Sequence, residues 1–425
     1  MTGLIPRLAR PRLDEQLRSF RAVVVNGPRQ AGKSTLLHMH TKEHGGTYRS
    51  LDDPQWLTAA TDDPTTFVST GDRPLRIDEV QRGGNDLVLA VKAAVDRSRE
   101  KGQFVLSGSS NFLTVPSLSE SLAGRVGFVE TWPFTVSERT GAPPDFCDLA
   151  FEDPRSLLRA PTSPWTRSDY LALICSGGYP EAVELREARA RRQWFDSYLR
   201  SVVTRDVRSF ARLQHATRVP RLLELVAARA GSITVVADVA RSLEISTETA
   251  RTYLGYLGIV YLTVDLPAWS TNLTTKAART PKTYVSDPGL AAHVVRVNAD
   301  GLQRPGHPAL GGLTETFAAT ELIRLRGAAS TAFDLHYFRD RDGREIDFVL
   351  ESWDGRVVAI EVKASATPKS ADARHLRWLR DKLGDRMRGG IVLHLGENAI
   401  SLGDDIVAVP LSALWSHRRL DSGTS

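Results

Sequence analysis

Apolar positions in the first third of the chain fall into short unbroken runs separated by stretches with helical spacing. Val23-Val24-Val25, Leu75 to Ile77, Gln103-Phe104-Val105-Leu106 and Val126-Gly127-Phe128-Val129 read as strands, and Thr47 to Leu51 as a shorter one. Between them, residues 85–99 place Leu87, Val88, Val91, Ala94 and Val95 on one helical face. Residues 7–19 predict a short basic amphipathic helix ahead of the first strand. This alternation, running to about residue 135, predicts a parallel α/β sheet with its ligand at the carboxyl ends of the strands.

The pattern then changes three times. Residues 138–165 are rich in Pro, Gly and Asp and read as a long loop or linker. Residues 166–231 are helical, broken at Gly177-Gly178-Tyr179-Pro180. Residues 232–270 predict a winged helix: a short helix from Val235 to Leu243, a turn, and a second helix capped by Ser246 that buries Ala250, Tyr253, Leu254 and Leu257. A strand pair from Ile259 to Leu266 completes it. The last third is again α/β. It has a helix at 312–326 carrying Glu315 and Glu321, strands at 335–339, 343–350 and 356–363, a helix at 371–383 and a strand at 390–395. The implied division is 1–137, 138–165, 166–231, 232–270 and 271–425.

Composition adds exclusions. At 425 residues the chain exceeds one core, and its two cysteines, Cys147 and Cys175, build neither a disulfide framework nor a zinc site. A cytoplasmic setting is the expectation. No run approaches 18 apolar residues, so no membrane span is expected. A net charge of +5 permits a nucleic-acid partner without requiring one.

The chemistry begins at Gly27-Pro28-Arg29-Gln30-Ala31-Gly32-Lys33-Ser34-Thr35, directly after the first strand and opening a helix. This is the G-x-x-x-x-G-K-S pattern of a P-loop. Its glycines let backbone N–H groups curl around a phosphate, and the positive end of the following helix faces the anion. Lys33 would contact the β- and γ-phosphates of ATP, and Ser34 the magnesium ion. Some 45 residues on, the third strand ends in Asp78-Glu79. There the first carboxylate serves the magnesium shell and the second polarises a water in line with the γ-phosphate. Arg76 interrupts the apolar run of that strand. Ser109, after the next strand, is either a γ-phosphate sensor or part of an ordinary Ser-Gly turn. Arg125 is an arginine finger, a sensor, or a surface arginine.

Downstream, Arg189, Arg191, Arg192, Arg200, Arg205, Arg208 and Arg212 either cover a phosphate-bearing ligand or form a solvated basic face. The outward positions of the winged helix, Thr247, Glu248, Arg251 and Thr252, carry one charge of each sign, a poor surface for phosphates. Glu361 and Lys363 lie two apart on a strand and share a face, which Asp347 on the paired strand can join. Two carboxylates beside a lysine make either a divalent-metal nuclease site or a cross-strand salt-bridge cluster.

Together these motifs resemble prokaryotic AAA-type ATPases in which a P-loop core precedes a winged helix and a C-terminal domain of unassigned function. That last domain is similar to restriction-endonuclease-like, PD-(D/E)xK folds. The resemblance rests on Gly27 to Thr35, Asp78-Glu79-Val80-Gln81, Gly177 to Pro180, and Gly343 to Phe348 with Glu361-Val362-Lys363. It implies ATP binding and hydrolysis with magnesium, Lys33 on the phosphates, Ser34 and Asp78 on the metal and Glu79 as base. It also implies Glu315, Asp347, Glu361 and Lys363 as a nuclease-type centre. DNA, a partner protein and self-association are the partners it leaves open.

Overall fold

The computed structural model describes residues 4–108, 124–159, 162–203, 218–270 and 280–416. The backbone divides into two compact units, Met1–Pro133 with Ile259–Tyr261, and Phe134–Gly258 with Leu262–Ser425.

The first unit is built on five parallel strands: β1 (Ala22–Asn26), β2 (Thr47–Ser50), β3 (Leu75–Asp78), β4 (Phe104–Gly108) and β5 (Val126–Glu130). Their spatial order is β2-β3-β4-β1-β5. All five residues of β1 are buried, because both faces of the sheet are covered. Val24 packs on one side with Leu87, Val88, Val91 and Val95 of the helix Gly84–Arg97. Val23 and Val25 pack on the other, with Leu13 of the helix Ala9–Ser19 and Leu36 and Leu37 of the helix Lys33–His44. The two-residue alternation of a strand thus sorts consecutive valines into separate core layers.

In the second unit, two antiparallel strands, β6 (Thr263–Leu266) and β7 (Lys282–Val285), follow the helices Val219–Ala228, Val236–Leu243 and Thr247–Ile259. Ser246 caps the last of these, its hydroxyl accepting from Thr249 N–H at 3.0 Å, and Thr247, Glu248, Arg251 and Thr252 are exposed. The expected strand pair within 259–266 is different: one strand lies there, and its partner β7 comes some sixteen residues later.

A six-stranded sheet follows: β8 (Phe333–Arg339), β9 (Glu345–Ser352), β10 (Val357–Lys363), β11 (Met387–His394), β12 (Ile400–Gly403) and β13 (Ile406–Pro410). Its order is β12-β13-β11-β10-β9-β8. The first three strands form antiparallel pairs, whereas β11 runs parallel to β10 and to β13. The helix Leu310–Arg326 precedes the sheet, and Arg374–Leu383 makes the crossover between β10 and β11.

Two stretches depart from expectation. Residues 138–165, read as a linker, contain the helices Val136–Thr140 and Phe146–Glu152 and a 3-10 turn at Pro154–Arg159. Phe146, Cys147, Ala150, Phe151 and Leu157 are fully buried, and Asp145, Asp153 and Pro154 sit at the ends of these elements. Beyond residue 395, where the sequence reading assigned no element, the chain supplies β12 and β13.

The Gly177-Gly178-Tyr179-Pro180 break proves to be a packing seam. Gly178 N–H donates to the buried Asp287 carboxylate at 2.8 Å, and Gly178 C=O accepts from Phe134 N–H at 2.7 Å. The Arg324 guanidinium pairs with Asp287 at 3.3 Å and donates to Phe134 C=O at 2.9 Å. The Tyr179 and Tyr198 hydroxyls meet at 2.8 Å.

Candidate nucleotide site and carboxylate cluster

The chain leaves β1 at Asn26 and curls through Gly27 to Gly32 before entering the helix Lys33–His44. Gly27 has φ +149°, and a Cβ there would lie 2.0 Å from Thr131 O; Gly32 has φ +90°, with Arg7 Nη1 2.7 Å from the position of a Cβ. Gly27 is therefore demanded by conformation and by space, and Gly32 by conformation. Arg7 braces the loop from beneath, donating to Ala31 O at 2.6 Å and to Trp132 O. The Lys33 ammonium is buried and donates to Gly27 O at 2.9 Å and Pro28 O at 2.7 Å. Gln30, Ser34 and Thr35 are exposed, and Arg29 is half-buried.

Asp78 ends β3 and is 2% exposed. The Tyr48 hydroxyl donates to its Oδ2 at 2.8 Å, and the Ser107 hydroxyl to its Oδ1. Burial, then the Asp78 charge, pushes the Tyr48 pKa up, which keeps it a donor. Glu79 follows in a left-handed conformation (φ 54°), accepting from Gln81 Nε2. The cradle, the two exposed hydroxyls and the oriented Asp78 fit a magnesium–nucleotide complex. Tyr48 and Ser107 were not singled out from sequence, although Ser107 ends a strand that was. Ser109 lies outside the described residues. Arg125 stands at the other end of the sheet, just before Val126, which pairs with Ala22 at the start of β1. It forms an ion pair with Asp96 at 2.5 Å, and the structure does not bring it to the P-loop.

Arg76 does interrupt the apolar run of β3, and it is fully buried. Its guanidinium donates to Gly45 O at 2.8 Å and to His40 Nδ1 at 2.5 Å, and burial pulls its pKa down to about 10. His40, on the P-loop helix, in turn meets Asp14 Oδ1 through Nε2 at 3.0 Å. Among the described residues, Asp14, His40 and His44 form the group whose ligand atoms lie within 4.8 Å of one another. A guanidinium is only a donor, so Nδ1 accepts and Nε2 carries the proton. A metal on Nε2 would need the opposite tautomer facing Arg76, so this cluster does not fit one.

In the second unit, the predicted residues do converge. Glu315 comes from the helix Leu310–Arg326, Asp347 from β9, and Glu361 and Lys363 from β10. Lys363 Nζ is 3.0 Å from Glu361 Oε2, and Val362 N–H donates to Asp347 Oδ2 at 2.8 Å. Three further residues, not anticipated, complete the cluster. The fully buried Lys282 ammonium lies 3.0 Å from Glu315, 2.7 Å from Glu345 and 3.7 Å from Asp347. The Tyr284 hydroxyl donates to Glu315 Oε1 at 2.6 Å. Burial, then the Asp347 charge, pushes Glu315 up to about 7 and Glu361 up to about 8. Burial opposes the charge on Lys282, but Glu315, Asp347 and Glu345 outweigh it and raise its pKa. Outside both sites, burial pushes the Cys175 thiol up to about 12 and raises that of Cys147, so neither is a thiolate near neutrality.

Comparison with known proteins places residues 19–140 in a family model described as an AAA domain. Residues 167–301 and 310–414 match two models described as domains of unknown function, DUF8612 and DUF4143. The uncharacterized protein Rv2008c of Mycobacterium tuberculosis is 28% identical over 416 residues, which cover 98% of this chain and 86% of that protein. Among solved structures, the Walker-type ATPase paby2304 of Pyrococcus abyssi aligns with a TM-score of 0.42 and 15% identity, over 69% of this chain and 99% of that one. The RuvB Holliday junction branch migration motor of Thermotoga maritima aligns with a TM-score of 0.29 and 18% identity, over 62% and 90%. The AAA match spans the five-stranded sheet and supports an AAA-type ATPase that binds ATP. No helix among the described residues is long and apolar enough to cross a membrane.

Proposed function

We propose that the protein is a magnesium-dependent, ATP-hydrolysing AAA-type machine that couples its nucleotide state to a nucleic-acid-associated C-terminal module. The observation that carries the first half is the P-loop itself, with the buried Lys33 ammonium resting on the Gly27 and Pro28 carbonyls and the buried Asp78 carboxylate held by Tyr48 and Ser107 at the end of β3. Magnesium bound there supplies charge stabilisation as the γ-phosphoryl group transfers. The chain's own groups do the rest. Lys33 leaves the Gly27 and Pro28 carbonyls for the phosphates, Gly27 to Thr35 provide the N–H cradle, and Glu79 orients the attacking water.

The second half rests on the segment 232–270 as a winged helix and on the order helix, three antiparallel strands, helix, parallel strand from Leu310 to His394, which suits a restriction-endonuclease-like fold. A non-cleaving, nucleotide-gated switch for a partner protein is the second reading. It is favoured by the exposed face of Thr247–Ile259, where Glu248 and Arg251 cancel. An ATP-regulated metal-dependent nuclease is the third.

The test is steady-state ATP turnover beside nucleotide binding. Glu79→Gln binds ATP and turns it over about a hundredfold more slowly; hydrolysis at the wild-type rate removes the base assignment. Cleavage of supercoiled or single-stranded DNA with magnesium or manganese, lost in Asp347→Ala, favours the nuclease. Sedimentation with and without a non-hydrolysable ATP analogue tests self-association and, with it, any action of Arg125 on a neighbouring copy.

A further inference from the structure

We infer that Lys282 supplies the cation of the C-terminal carboxylate cluster, standing where a nuclease-type site would hold a divalent metal, so that this cluster as folded does not cut nucleic acid by a metal route. The inference rests on the restriction-endonuclease-like reading proposed above and is independent of ATP hydrolysis.

Three observations converge. The first is position. Lys282 opens β7, where it pairs with Leu266 of β6 on one side and bridges to Ile233 on the other, so its backbone is fixed by neighbours on both edges. Its side chain is 0% exposed. The second is occupancy of the ligand atoms. The ammonium lies 3.0 Å from Glu315 Oε1 and 3.7 Å from Asp347 Oδ1. A magnesium ion on those oxygens would sit about 2.1 Å from each. It would then stand against a buried ammonium, where like charges repel far more strongly than in water. Glu345 Oε1, at 2.7 Å, anchors the ammonium from a third direction.

The third observation is that the remaining ligands are spoken for. Asp347 Oδ2 accepts from Val362 N–H, Glu361 is paired with Lys363, and Glu315 Oε1 also accepts from Tyr284. Among the described residues, the group with three ligand atoms within 4.8 Å of one another is Asp14, His40 and His44, outside this cluster. A cation that arrives with the chain needs no metal supply and holds the helix Leu310–Arg326, β7 and β9 together.

The experiment is Mn²⁺ binding to the full chain without nucleotide, followed by electron paramagnetic resonance and by the thermal midpoint. The proteins are the wild type, Lys282→Met, and each with Asp347→Asn added. Where Lys282→Met alone does not fold, Lys282→Met with Glu345→Gln, which carries less unbalanced negative charge, takes its place. The expected result is no Asp347-sensitive Mn²⁺ on the wild type. The Lys282 variant gains one bound Mn²⁺ per chain, with a rise in thermal midpoint, and loses both when Asp347→Asn is added. Asp347-sensitive binding by the wild type overturns the inference and leaves the restriction-endonuclease-like reading standing. Folded Lys282 variants that bind no Mn²⁺ overturn that reading of the cluster and the inference with it.

Discussion

Two buried lysines, one in each unit, separate a site made to receive charge from one that has already balanced it. Lys33 lies 5% exposed on the neutral carbonyls of Gly27 and Pro28, partners belonging to its own loop. Lys282 is held by the carboxylates of Glu315, Glu345 and Asp347. Charge-assisted hydrogen bonds are roughly twice as strong as neutral ones, so a phosphate can draw Lys33 away from its carbonyls. Nothing comparable can draw Lys282 from three carboxylates. The same side chain at similar depth is exchangeable in one setting and structural in the other. Burial alone does not mark a functional lysine; the charge of what it touches does.

The largest effect that would sharpen this contrast is on nucleotide binding. Lys33→Ala removes the cation that meets the phosphates and should weaken ATP binding by about ten- to a hundredfold for each hydrogen bond lost, since a hydrogen bond to a charged group contributes roughly 1.5–3 kcal/mol. Equilibrium binding of a fluorescent ATP analogue measures it. Unchanged affinity would break the contrast at its first term. Next in size is turnover. Glu79→Gln should retain affinity and lose about a hundredfold in rate, the usual scale for a positioned general base.

How much of each region was legible follows from how its residues are distributed. The P-loop is contiguous, and its strand and helix announce themselves by periodicity, so its placement needed no tertiary information. The orienting groups around Asp78 were not visible. Tyr48 is one polar-edged residue in a short strand, and Ser107 opens the same Ser107-Gly108-Ser109 turn from which Ser109 was chosen. Lys282 was invisible for a physical reason. A lysine in a strand is ordinarily solvated, and only assembly of the helix Leu310–Arg326, β7 and β9 shows that it is surrounded by acids. By contrast β13, Ile406 to Pro410, is an apolar run preceded by Asp404 and Asp405 and could have been found.

Stability gives the next test, with the roles of the lysines exchanged. Lys282→Met leaves three carboxylates without their cation and should destabilise the second unit by about 3–5 kcal/mol, the range for breaking a buried ion pair. Lys33→Met, which breaks only bonds to backbone carbonyls, should cost about 1 kcal/mol. Denaturant midpoints of the two variants, measured without nucleotide, make the comparison. Equal losses would mean that the carboxylates around Lys282 relax into solvent and that the two settings are not distinct.

The smallest effect is the dependence of stability on pH. Glu361 is raised from its ordinary 4.5 to about 8, by burial first and the Asp347 charge second. Glu315 is raised from 4.5 to about 7 by the same two causes. Between 4.5 and these values the folded chain holds protons that the unfolded chain has released. Stability contributed by this uptake is complete below pH 4.5 and is lost as pH rises through 7 to 8. The slope is on the order of 1 kcal/mol per pH unit for each group carrying its proton. Glu361→Gln, neutral at every pH, should flatten the decline between pH 5 and 8, whereas Lys33→Ala should leave it unchanged. Chemical denaturation at pH 5, 6, 7 and 8 reads the slope directly. A Glu361→Gln variant as steep as the wild type would mean that Lys363 keeps the Glu361 carboxylate ionised across the range. The second cluster would then be balanced by two fixed ammonium groups rather than by one ammonium and a proton.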